Sequence, residues 1–397
     1  MRLASVLLLV AITGCASSPE SVDKNARSFT TRSFGAVWDD PTRCLTAVRH
    51  GRRLPKKDGL VRVGTWNIRW FPDGWPGEAA ADSGTSIPWV ACAIAYTQTD
   101  LFALQEIKLT KRGLAAMDRV TRELEVLTGA PWHWRADACK KPGAQHTAVL
   151  YRADHIAITG VRSHGVIDPT QRAKGSPGCP GKLRPALGAY VKSKRGGVDF
   201  HFASIHLDSG RDTRDFENRK AAWERIQRLA EHRASIEPDA DLILAGDFNM
   251  MGCEGCEVTD DADERQALMQ VLRNQEPAWA TPAPSVGCTE YYKGKGGLLD
   301  QIIYTRAMRE ARGATQHISG ICGAAECAPM GAQNQPYFQE LSDHCPVLMD
   351  ILDADRDDSD GPPSAPRSEA ENAAKPPLAP RVVAMAKAWL ARIALHL

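Results

Sequence analysis

Two β-sheets packed face to face, with helices outside, are what this 397-residue sequence predicts. Three observations carry that expectation. Short apolar runs of strand length recur through the middle of the chain. Several of these runs are apolar on both faces, so each has to be covered from both sides. Stretches with helical spacing lie between them. No internal repeat is evident. With 43% hydrophobic residues, a chain of this length can bury a large core, and one large domain plus tails accounts for it. The formal charge of +1 gives no global field to draw DNA or an anionic membrane, so polyanion binding has to rest on local patches.

In chain order, MRLASVLLLVAITGCASSPE places Arg2 before an apolar run over 3–12, then small residues and Cys15. The run is too short to span a bilayer and reads as a signal segment over 1–15. AITGC resembles the lipobox of bacterial lipoproteins, in which Cys15 would carry the lipid. By that resemblance, Ala16 favours the outer membrane of the cell envelope; an ordinary cleaved signal with secretion is the alternative. Residues 16–59 are expected to be a tether and N-terminal extension, and 60–352 the folded domain. There VRVGTWNI, DLFALQEI, TAVLYRA, GVDFHFASIHL, DLILAGDFNM, LLDQIIYT and HCPVLMDI read as strands, and 86–96, 111–128 and 214–236 as helices. The acidic, proline-rich stretch 353–380 reads as a disordered linker. In 381–397, Val382, Met385, Trp389, Ile393 and Leu397 share one helical face. That helix suits a membrane surface or a docking partner, or it packs back on its own domain.

Setting Cys15 aside from the 11 cysteines leaves an even number, and an exported chain favours disulfides. Cys44–Cys92, Cys139–Cys179 and Cys322–Cys327 are the expected pairs, with Cys345 a buried free thiol. Alternatively, CEGC at 253–256 is half of a zinc site completed by Cys322 and Cys327.

The chemistry is carried by polar residues where strands start or stop: Asn67, Glu106, His206, Asp247 with Asn249, Asp300, and Asp343 with His344. Each alone has an ordinary reading as a turn former or a solvated side chain. Together they make an oxygen-rich site suited to Mg²⁺, with Mn²⁺ or Ca²⁺ as alternatives, and supply imidazoles for hydrogen bonding and proton transfer to phosphate. Ser342, Asp343 and His344 are consecutive, so they cannot form a hydrolytic triad with one another. No serine or cysteine stands in a nucleophile setting, and water attack on phosphorus is the expected reaction.

The ordered set TWN, QE, IHL, GDFN, LDQIIY and SDHCPV, over about 61–352, resembles the endonuclease/exonuclease/phosphatase superfamily. The resemblance implies an α/β fold: a four-layer α/β/β/α sandwich of the DNase I type, two mixed sheets with outer helices and the site at their edge. It implies Glu106 as main metal ligand with Asn67 and Asp343 near the metal, and Asp247, aided by Asn249, as the residue that positions or activates water. His344 resembles the catalytic histidine, Asp300 its orienting carboxylate, and His206 a second histidine that protonates the leaving oxygen. The AP endonuclease branch has a tyrosine motif at His206, which argues against that branch.

Substrate choice lies in loops. TEYYKGKGGLLD offers Tyr291 and Tyr292 for base stacking and Lys293 and Lys295 for phosphate, or else is a solvated loop. Arg211, with Arg214, Arg219 and Lys220, either contacts phosphate or lines an exposed helix face, and Arg184 either faces the cleft or starts a surface strand. The leading expectation is an envelope-anchored Mg²⁺-dependent nuclease. Its alternatives are a phosphatase or sphingomyelinase-like phosphoesterase and, from another class, a non-catalytic binding lipoprotein. The expected partners are nucleic acid or another phosphoester and, through Cys15, the membrane; no obligate protein partner is evident.

Overall fold

The structure is a computed structural model and describes residues 33–74, 84–137, 139, 141–168, 183–330 and 336–357. The Cys15 anchor, most of the 353–380 linker and the 381–397 stretch lie outside the described residues.

The folded chain starts earlier than residue 60. Helices α1 (Ala36–Asp39) and α2 (Pro41–Arg49) precede the first strand, within the stretch expected as tether and N-terminal extension. The Asp40 side chain caps α2 by accepting from the Arg43 N–H, and Val37, Trp38, Cys44 and Val48 are buried. Helices this short carry too few turns for a periodic signal, which is why the sequence hides them.

Then come β1 (Leu60–Phe71), α3 (Ile87–Thr97), β2 (Leu101–Ile107), α4 (Lys111–Thr128), β3 (Trp132–Ala136) and β4 (His146–Arg152). The second half runs β5 (Ile156–His164), β6 (Ala186–Ser193), β7 (Asp199–His206), α5 (Thr213–Trp223), α6 (Ile226–Ala234), β8 (Leu242–Asp247) and α7 (Asp261–Arg273). It closes with β9 (Trp279–Ala280), β10 (Glu290–Tyr292), β11 (Lys295–Gly297), β12 (Asp300–Thr305), β13 (Gln316–Ile318), α8 (Gly320–Ala325), α9 (Pro336–Glu340) and β14 (Val347–Leu352). The helix expected over 214–236 is two helices, broken at Glu224 and Arg225.

Two six-stranded mixed sheets form, in the orders β13-β14-β1-β2-β4-β3 and β5-β6-β7-β8-β12-β9. Alternation along β8 shows the layering: Ile243 and Ala245 join the core that also holds Val63, Phe102, Phe200 and Ile302, while Leu242 and Leu244 face the helices with Trp223, Leu229 and Leu268. Helices α3 and α4 cover the outer face of the first sheet with Val90, Met117 and Val120. The result is the α/β/β/α sandwich. Gly246 permits β7 and β8 to close up next to the site, because a Cβ there would stand 2.1 Å from the Ile205 carbonyl oxygen.

Cys44–Cys92 joins α2 to α3 as expected. Three other expectations need correction. Cys322 is bonded to Cys345 and Cys327 to Cys288, so there is no Cys322–Cys327 pair and Cys345 is not a free thiol. Cys322 lies inside α8 and Cys327 beyond its end, so the two sulfurs meet different partners. Cys253 is bonded to Cys256, which removes the zinc alternative. Cys139 is also disulfide-bonded, and Cys179, its expected partner, lies outside the described residues.

Candidate active site

Strand register brings the polar residues to one edge of the sandwich. In the second sheet His206 pairs with Asp247 across β7 and β8, and Asp300 pairs with Asp247 across β12 and β8. In the first sheet Asn67 pairs with Gln105, one residue before Glu106. The segment leading into β14, which lies beside β1, brings Asp343 and His344 to the same edge.

Asn67 links the two sheets. Its Nδ2 donates to Glu106 Oε1 at 3.1 Å and to Asp247 Oδ2 at 3.0 Å, while its Oδ1 accepts from the Arg69 N–H at 3.0 Å. The amide thus turns its donor, not its oxygen, toward the carboxylates. Its oxygen, expected near the metal, accepts from the backbone and keeps a second lone pair. Glu106 Oε2 accepts from the Trp70 N–H at 2.9 Å. Arg69, Trp70, Glu106 and Asn249 all have positive φ, between 44° and 67°, a strained backbone for residues with a side chain. Such strain persists where surrounding contacts over-determine it, and it clusters at functional sites.

Asp247 Oδ1 accepts from the Asn249 N–H at 2.8 Å, and the Asn249 side chain donates to the Leu207 carbonyl at 3.0 Å. Asn249 therefore fixes Asp247 through its backbone N–H. His344 Nδ1 donates to Asp300 Oδ2 at 2.8 Å, leaving Nε2 3.9 Å from Asp247 Oδ2. His206 Nε2 is 3.6 Å from the same oxygen and 3.9 Å from Glu106 Oε1. Half-buried Arg184 donates to the His206 and Leu207 carbonyls at 3.2 and 2.8 Å and to Gln145 at 3.1 Å. Glu106 and Asp247 are near enough to act on the Arg184 charge.

The two imidazoles are driven in opposite directions. Burial alone would lower His344, but the Asp300 carboxylate outweighs it, with Asp247 and Asp343 adding to the effect, and holds the ring well above the ordinary range. His206 is held well below it by burial, then by Arg184 and His344. These directions favour the neutral ring at His206 and the cationic ring at His344. Asp247 is pushed up to about 6 by burial and by Asp300, and Glu106 is raised by burial and by Asp343. Oxygens of Asp247 and Asp300 and a nitrogen of His344 lie within 4.8 Å of one another, close enough to share an ion.

Of the residues expected to bind substrate, Arg184 joins this group and others do not. Tyr291 is fully buried: its hydroxyl donates to the Ala328 carbonyl at 2.9 Å and its ring meets Phe338 edge-on, so it is not a stacking platform. Tyr292, on the opposite face of the strand, is 58% exposed, with the Lys293 ammonium 5.0 Å over its ring. Lys295 is exposed on the same hairpin. Arg211 is tied to the loop of the Cys253–Cys256 disulfide through the Thr259 carbonyl and Glu254. Arg219 is buried and clamped to Glu264 at 2.5 and 2.9 Å, so it is part of the scaffold.

One acidic residue was not foreseen. Glu290 forms a β-bridge to His344, is buried, and is raised well above the carboxylate range by burial; His344 opposes that rise, and Asp343, Asp300 and Asp247 add to it. Its only sequence signal was a carboxylate beside the two tyrosines, in a strand too short to read.

An endonuclease/exonuclease/phosphatase from Bacteroides vulgatus superposes with a TM-score of 0.50 at 17% identity, covering 74% of this chain and 98% of that one. A protein of the same family from Bacteroides thetaiotaomicron gives 0.49 at 16% identity, covering 74% and 94%. The human nocturnin catalytic domain, with bound sulfate, gives 0.47 at 15% identity, covering 76% and 97%. No family model and no curated protein sequence matches the chain. The chain thus has the α/β/β/α fold of the endonuclease/exonuclease/phosphatase superfamily.

Proposed function

We propose that this chain is a divalent-metal-dependent phosphoester hydrolase of nuclease type, anchored in a bacterial cell envelope through Cys15. The observation that carries the reading is the His344–Asp300 pair facing Asp247, with Glu106 and His206 completing the same pocket.

The pocket fits a hard cation. Burial and then the Asp343 carboxylate raise the cost of ionising Glu106, and an ion held between the two carboxylates relieves that repulsion. Bound there, Mg²⁺ supplies a Lewis acid for a phosphoryl oxygen. The chain's own groups do the rest. Asp247, fixed by Asn249 and Asn67, takes a proton from an attacking water, and its elevated proton affinity suits it to that task. Cationic His344 donates from Nε2 to the phosphoryl group as negative charge builds, while Asp300 holds the ring. Neutral His206 adds a hydrogen bond, and burial, followed by Arg184 and His344, keeps it from becoming a second cation.

The nuclease reading is supported by the hairpin of β10 and β11. The Glu290–His344 bridge sets it at the rim, with Tyr292, Lys293 and Lys295 outward. Burial of Tyr291 leaves one aromatic ring for stacking and favours a second reading, a phosphatase or sphingomyelinase-like enzyme with a smaller substrate.

The test is to incubate the purified chain with supercoiled plasmid, single-stranded DNA, RNA, sphingomyelin and inositol phosphates, in Mg²⁺ or EDTA. Nicking that needs Mg²⁺ and vanishes in His344→Ala upholds the nuclease. Turnover of lipid or inositol phosphate without nicking replaces it with the second reading, and no turnover at all removes the enzyme.

A further inference from the structure

Asp241 stands just before β8 and Asp247 ends it, so a rise of about 3.3 Å per residue separates them by about 20 Å. At the Asp241 end, oxygens of Asp239, Asp241 and Asp357 lie within 4.8 Å of one another, and oxygens of Glu310, Asp355 and Asp357 do the same. Asp357 belongs to both sets, so five carboxylates from three separate segments converge.

Crowded acids alone would mean little. Here, however, Asp241 and Glu310 are 1% and 4% exposed, and Asp241 Oδ1 and Glu310 Oε2 are buried oxygens with no hydrogen-bond partner. A buried acceptor left unsatisfied is costly and calls for an explanation. The surrounding backbone fixes three further oxygens: Asp239 Oδ1 accepts from the Asp241 N–H, Glu310 Oε1 from the Arg356 N–H, and Asp355 Oδ1 from the Asp357 N–H. After burial, the groups that act most strongly on Asp241 are Asp357, Asp239 and Glu310, all of them acidic.

We propose that these carboxylates form a second cation site, selective for Ca²⁺, that fastens the segment after β14 to the loop before β8 and to Glu310. The donors are all oxygen, without the imidazole or thiolate that transition metals prefer. They are also more numerous than Mg²⁺ usually takes from protein, whereas Ca²⁺ accepts six to eight oxygens in adaptable geometry. Without the ion, protons take its place, and Asp241 and Asp239 are pushed up to about 9 and about 7. The site stands independently of the phosphoesterase reading.

The test uses the full chain carrying Glu106→Gln, which weakens the ion site of the pocket, with Ca²⁺ titrated by calorimetry and thermal unfolding followed in parallel. One equivalent of Ca²⁺ and a rise in Tm of about 5 °C at an ion concentration near a hundred times Kd are expected. Asp241→Asn with Glu310→Gln should abolish both. Asp355→Asn, at an exposed position that leaves the interior intact, should weaken binding about tenfold, the loss of one charged ligand. Unchanged Ca²⁺ binding in Asp355→Asn overturns the proposal. So does a chain that ignores Ca²⁺ while Asp241→Asn alone raises its Tm, since a shared proton would then be the whole of the arrangement.

Discussion

One aspartate immediately precedes strand β8 and another ends it, and the two ends treat the residue differently. Asp247 has an Asn67 amide at 3.0 Å, an Asn249 N–H at 2.8 Å, and imidazoles at 3.6 and 3.9 Å. Asp241 has an unpartnered oxygen and acidic neighbours. One end interleaves negative charge with donors and a cation, holding Asp247 at about 6, where a base can gain and lose a proton. The other end accumulates negative charge that only a proton or an added cation offsets. Carboxylate crowding by itself therefore says little about catalysis; the nitrogen groups set among the carboxylates make the difference.

The comparison breaks most visibly in turnover. His344→Ala should lower kcat by about 10²–10⁴ with Mg²⁺ present, while Asp241→Asn leaves it within about twofold, measured on whichever substrate is cleaved. Equal losses would erase the distinction between the ends.

Stability gives the next largest effect. Arg219 and Glu264 form a fully buried pair between α5 and α7 in which charge is compensated. Arg219→Met should cost about 3–5 kcal/mol in urea unfolding by stranding Glu264, and adding Glu264→Leu should recover most of it. Turnover of the surviving folded fraction should not change.

A pH series sharpens the contrast further. Folded Asp241 and Asp239, near 9 and 7, lie above the unfolded carboxyl range of about 4, so the native chain keeps protons the unfolded chain has released. Their contribution is full below about pH 4 and lost as pH rises toward 9; in EDTA the Tm should fall over that span, and Ca²⁺ should flatten the slope. His164, lowered to about 3 by burial and Arg233, and His201, lowered to about 4 chiefly by burial, act in the opposite sense. Their contribution is present above about pH 6.5 and lost as pH falls, because the unfolded chain takes up protons first.

The smallest effect belongs to the rim. Tyr292→Ala should raise KM for single-stranded nucleic acid about fivefold, the loss of about 1 kcal/mol of stacking, and leave a small phosphomonoester unaffected. An equal change for both substrates would mean that the ring does not stack on a base.

Where the sequence was legible, an apolar run ended in a polar residue. Asn67, Glu106, His206, Asp247, Asp300 and His344 stood out because each interrupts or terminates a strand pattern, and strand register then brings them to one edge. Glu290 lies in a three-residue strand with no such pattern, and its importance comes from a bridge to a residue 54 positions later, by subtraction of 290 from 344. Tyr291 and Tyr292 were alike as text; alternation along a strand sends them to opposite faces, but nothing local says which face is the core. Arg219 looked like a surface cation because its partner, Glu264, is 45 residues away. Cysteine pairing was partly misread for the same reason: Cys327 has a sequence neighbour in Cys322, yet its bond is to Cys288, 39 residues earlier.

The Cys322–Cys345 bond has a practical consequence. Cys345 directly follows His344, so the segment that carries the imidazole is covalently stapled to α8. Its geometry is thus inherited from the oxidants present when the chain matures, and material produced in a reducing cytosol starts out without that staple however well the two sheets assemble.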